Sequence, residues 1–67
     1  MNVDAVARRV LAEFEEMPGL SLTPRQASRL FGLDHDVCKI VLDTLVDLAY
    51  LRQTHAGTVT LGDRVAA

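Results

Sequence analysis

The chain is poor in most of the residues that announce a chemistry. It has one cysteine, two prolines, one tyrosine, two phenylalanines and no tryptophan among 67 residues. A single cysteine excludes an intramolecular disulfide, so a hydrophobic core alone must hold a domain near the lower size limit for folding. The same scarcity points to a reducing compartment. No apolar run approaches the ~20 residues that span a bilayer. The first residues, MNVDAVARR, carry charges where a signal peptide would carry an apolar core. A cytoplasmic domain without membrane contact is the expectation. A basic excess is missing too: seven Lys and Arg stand against nine Asp and Glu, for a net charge of −2. That argues against strong nonspecific attraction to nucleic acid, although a local basic patch remains open. Internal repeats and low-complexity tracts are absent.

What is present is a sequence 49% hydrophobic and 24% charged, which suits one globular domain. Val3, Val6, Ala7, Val10, Leu11, Phe14 and Met17 recur at spacings of three and four, predicting a helix over 2–17. Asn2 can cap its start, and Pro18-Gly19 stops it. Leu20-Ser21-Leu22 predicts a short edge strand. In TPRQ, Thr23 is an N-cap, Pro24 fills the first helical position, and Gln26 completes a capping box. Leu22 and Ala27 have the spacing of a hydrophobic staple. The second helix runs over 24–31 and ends at Gly32. Asp34 is the expected N-cap of a third helix over 35–48. Residues 50–54 and 58–61 are β-prone, and His55-Ala56-Gly57 fits a three-residue hairpin loop with a left-handed glycine. Residues 62–67 are expected to fray.

The fold class expected is mainly α with a small β-hairpin: helix, short strand, helix, tight turn, helix, hairpin. With Leu22-Thr23 opening the second helix, Ser28 four residues before Gly32, and Cys38, Val41, Leu42 and Leu45 as inward positions, this order resembles a winged helix-turn-helix domain. The resemblance covers about residues 3–61 and extends to Ala49-Tyr50-Leu51 at the exit into the wing. Serine at 28 and alanine at 49 depart from the family's alanine and glycine.

The resemblance implies DNA binding and transcription regulation, with the third helix in the major groove. Matched by position, His35, Asp36, Lys39, Ile40 and Asp43 would face the groove. Of these, Lys39 is the one that suits base readout. Arg25, Arg29, His35, Lys39, Arg52 and His55 are the candidate contacts to double-stranded DNA, with Arg64 a further basic residue beyond the wing. Ordinary solvated charges are the alternative, with Arg29 pairing to Asp34 or Asp36. The wing tip carries neither Arg nor Lys.

At about 100° per residue, Asp36, Lys39, Asp43 and Asp47 form one narrow polar strip on the third helix. The rest of that helix is largely apolar, wider than a single buried face requires. Val37, Ile40 and Val46 are the expected surplus, either as a homodimer or partner interface or as scattered surface residues. A second reading is therefore an interaction module that does not bind DNA and works through these residues or through the first helix.

The stretch GLDHDVCKIV places Asp34, His35, Asp36 and Cys38 close together. A metal site is not expected, because four converging ligands are needed and Cys38 falls on the inward seam. A Cys/His nucleophile is not expected either, since the thiol's neighbours are acidic or apolar. Nothing forms a phosphate cradle, and neither an enzyme nor a cofactor is foreseen.

Overall fold

The computed structural model describes residues 2–62. Its element order is α1 (Val3–Glu16), β1 (Ser21–Leu22), α2 (Pro24–Phe31), α3 (His35–Asp47), β2 (Leu51–Gln53) and β3 (Val59–Leu61). This is the mainly helical, winged-helix-like arrangement expected, with element ends shifted by at most one residue. Each start has a local cause. The Asn2 side chain accepts from the backbone N–H groups of Asp4 and Ala5. At α2 both bonds of the capping box form: Gln26 N–H donates to Thr23 Oγ1 at 3.1 Å, and Thr23 N–H to Gln26 Oε1 at 2.9 Å. At α3 the cap differs from the expectation. Asp34 occupies the N-cap position and its carbonyl accepts Cys38 N–H at 2.8 Å, but its carboxylate makes no capping bond. The backbone alone starts this helix.

The turn between α2 and α3 is held from both sides of Ser28. Gly32 takes φ +66, where a side chain is strained. Gly32 N–H and Leu33 N–H both donate to the Ser28 carbonyl, and Ser28 Oγ donates to the Leu33 carbonyl at 2.6 Å. Serine at this position thus adds a bond that alanine cannot make. The exit of α3 uses the same left-handed geometry without glycine. Ala49 has φ +66, with Ala49 N–H donating to Val46 O and Tyr50 N–H to Leu45 O. Those two bonds make a Schellman motif.

The hairpin gains a third strand. The sheet is antiparallel in the order β1-β3-β2, with Leu22 opposite Val59 and Gln53 opposite Val59 on the other side. The wing is therefore anchored to the segment that leads into α2. Hydroxyls reinforce the join: Ser21 Oγ donates to Thr58 Oγ1 at 2.8 Å, and Thr60 Oγ1 to the Leu20 carbonyl at 2.8 Å. Gly57, at φ +81, closes the hairpin loop as expected. Gly62 departs from the frayed end foreseen for it: it is buried, and its N–H donates to the Tyr50 carbonyl at 2.8 Å. The remainder of that segment, 63–67, including Arg64, lies outside the described residues.

Every element feeds one core. Val10 and Phe14 come from α1, Ala27 and Phe31 from α2, Cys38, Val41, Leu42 and Leu45 from α3, and Leu51 and Val59 from the sheet. Phe14 and Phe31 meet with ring centroids 6.3 Å apart at 53°, an arrangement that adds to area burial. Burying a side chain such as Phe14 contributes about 1.5–3 kcal/mol. Among the described residues no buried side chain is polar, so the core provides packing and no reactive group apart from one thiol.

Candidate interaction surface

The inner seam of α3 is Cys38, Val41, Leu42 and Leu45, all buried. Helical periodicity then turns Asp36, Lys39, Ile40, Asp43 and Asp47 outward, and all five are exposed. Lys39 lies between two carboxylates, with Asp36 three residues before it and Asp43 four residues after. Residues at those spacings are neighbours on a helix surface, so its charge is locally offset. His35 is exposed at the start of the helix. The outward face of α3 is thus a strip of three carboxylates, one ammonium and one isoleucine.

The surplus apolar residues do not form one patch. Val37 and Val46 are half-buried and pack against the core; Ile40 is 57% exposed. Nine positions separate the two valines, which at ~100° per residue sets them on opposite flanks of the helix. They widen the buried face, and Ile40 alone projects. A different apolar ridge emerges from spacings of four: Ile40, Thr44 and Leu48. Thr44 Oγ1 donates to the Ile40 carbonyl at 2.8 Å, which turns its hydroxyl back onto the helix. Leu48 is 47% exposed.

This ridge borders an open groove of about 340 Å³ between α1 and the C-terminal half of α3. Ala7 and Leu11 line it from α1, Leu45 and Leu48 from α3, with Asp4, Arg8, Thr44 and Tyr50 also at its walls. The first helix is among the surfaces expected to meet a partner, and Ile40, Thr44 and Leu48 recur at i, i+4 and i+8, but only the approach of α1 to α3 makes a groove of them.

The cationic candidates sit on several elements. Arg25 and Arg29 are exposed one turn apart on α2, Arg52 is exposed on β2, and His55 is exposed at the wing tip. Among the described residues none of Arg25, Arg29, Lys39 and Arg52 has an ion-pair partner, so the pairing of Arg29 with Asp34 or Asp36 does not form. At the wing's base Thr54 Oγ1 and Thr58 Oγ1 are hydrogen-bonded 2.7 Å apart, and Thr58 Oγ1 also accepts from Ser21 Oγ.

Cys38 is buried, and its Sγ donates to the Pro24 carbonyl at 3.6 Å. Burial pushes the thiol above its ordinary value, which opposes thiolate formation. Its position ties the start of α3 to the start of α2. Among the described residues no three His, Cys, Asp or Glu side chains are grouped to hold a metal ion. No described helix is long and apolar enough to cross a membrane. Compared with known proteins, the chain matches no family model, no curated protein and no solved structure.

Proposed function

We propose that this chain is a protein-interaction module on a winged helix-turn-helix scaffold, acting in the cytoplasm and not by placing α3 in the major groove. The observation that carries this reading is the outward face of α3, where Asp36, Asp43 and Asp47 surround Lys39 and Ile40. A duplex carries one negative charge per ~1.7 Å of axis, so three carboxylates brought between its phosphates are repelled. Base edges are read by Arg, Lys, Asn and Gln, and the one such residue here is flanked by aspartates. Exposed Ile40 and Leu48 beside an apolar groove give a protein surface something to bury. The cytoplasmic placement rests on a single thiol, buried and without a disulfide.

A second reading, a DNA-binding transcription regulator, is favoured by the exposed cations Arg25, Arg29 and Arg52. These, with His35, Lys39 and His55, would contact phosphates. One titration separates the two. Mixed-sequence duplex is added at low ionic strength, and the series is repeated at rising salt. The interaction reading expects no salt-dependent complex even at high protein concentration. Binding that falls steeply with salt, and weakens in the Arg25→Ala, Arg29→Ala variant, would establish the DNA reading in its place.

A further inference from the structure

We infer that the groove between α1 and α3 is closed by a second copy of the same chain, the two α1 helices lying antiparallel across a twofold axis. The inference rests on the interaction reading and names its partner. Three features point to self-association. The groove is floored by apolar side chains, Ala7 and Leu11 of α1 and Leu45 of α3, yet the described residues enclose it only in part. Its α3 wall ends in half-exposed Leu48, whose apolar surface continues along the ridge to Ile40.

The third feature is the charge pattern of the α1 wall. Asp4 and Arg8 are exposed, one turn apart, and line the same side of the groove. Four residues rise ~6 Å along a helix and turn it by ~40°, so these opposite charges stand one above the other. They form no ion pair with each other. A twofold axis passing between the two positions sets Asp4 against the partner's Arg8, and Arg8 against the partner's Asp4. One self-complementary patch then satisfies all four charges with a single type of contact, as an isologous interface requires. A groove wall of one sign would have favoured a partner of the other sign; this wall is complementary to itself.

The sign pattern supplies the test. Sedimentation velocity over a concentration series at low salt should show a monomer–dimer equilibrium. Asp4→Arg alone and Arg8→Asp alone each place like charges opposite one another twice per dimer. Each should weaken association about tenfold or more. The double variant Asp4→Arg, Arg8→Asp restores opposite charges across the axis and should recover the dimer. Both positions are exposed, and circular dichroism checks that the helices persist in each variant. Tyr50, the only tyrosine and part of the groove wall, should become less accessible to an aqueous quencher as concentration rises.

Three outcomes overturn the inference. The chain stays monomeric at all concentrations; or the dimer forms but ignores both single reversals, which places its interface elsewhere; or Tyr50 is shielded at every concentration in a monomer, which assigns the groove to the chain's own residues. A monomer that also fails to bind duplex removes only the second copy. Salt-dependent binding of duplex removes the interaction reading itself.

Discussion

Ala49→Gly should make the protein more stable, an uncommon direction for a single substitution. Ala49 has φ +66 in the turn that ends α3, and its two backbone bonds, to Val46 O and from Tyr50 N–H to Leu45 O, hold the chain in that conformation. An L-residue in the left-handed region costs about 1–2 kcal/mol. Glycine removes that cost but loses an extra ~0.4–1 kcal/mol of chain entropy on folding. Ala49 is exposed, so its methyl contributes little packing to set against the gain. The net expectation is a stabilisation of about 0.5–1 kcal/mol. For a domain of this size ~1 kcal/mol moves the melting temperature by about 4–8 °C, giving a rise of about 2–8 °C. Gly32 is the matched control: it has the same φ of +66, and a Cβ there would meet nothing within 4 Å. Gly32→Ala should therefore fall by a similar amount for conformational reasons alone. Thermal and urea unfolding followed by circular dichroism reads both changes. If Ala49→Gly lowers the melting temperature while Gly32→Ala leaves it unchanged, the left-handed assignment of these two turns is wrong.

Gly62→Ala should destabilise by about 1–3 kcal/mol, the usual cost of overpacking. Its Cβ would lie 2.7 Å from the Ala49 carbonyl oxygen and 3.1 Å from two atoms of Tyr50, all backbone and unable to swing aside; urea unfolding measures the loss. Cys38 should react slowly with a thiol-specific aromatic disulfide reagent at pH 8 until the protein is unfolded, because its sulfur is buried; a rate near that of a free thiol would contradict its place in the core. Its raised value in the folded state means that the unfolded chain releases the proton first. Stability from this group is complete below ~pH 8.5 and declines as pH rises through the folded value, whereas a Cys38→Ala variant should lack that alkaline component.

The helices were legible in the sequence because their signals are local. Asn2 as a cap, the Thr23-Pro24-Gln26 capping box and Gly32 each act within a few residues, and the apolar spacing of α1 follows from helical periodicity. The inward seam of Cys38, Val41, Leu42 and Leu45 was readable for the same reason. The left-handed turn at Ala49 was marked only by a departure, alanine where the resemblance implied glycine. That the backbone nevertheless turns left-handed there depends on Leu45, Val46 and Tyr50 closing the turn.

The surface was less legible, since exposure depends on what packs alongside. Val37, Ile40 and Val46 looked equivalent on the helix, but the core covers the flanks that hold the valines and leaves Ile40 in solvent. Asp34 looked like a capping carboxylate; whether its side chain reaches the helix start depends on the turn from Gly32, and it makes no such bond. β1 and the hairpin were readable as strands, whereas their joining into one sheet required residues 37 to 40 positions apart to meet, as Ser21 meets Thr58 and Leu20 meets Thr60. The sequence by itself determined the elements, their ends to within one residue and the seam that α3 buries, because those follow from short-range sterics and periodicity. The tertiary structure alone decided which apolar residues stay in water and that Asp4, Arg8, Leu11 and Leu48 share one groove, because only the packing of α1 against α3 brings these separated side chains together.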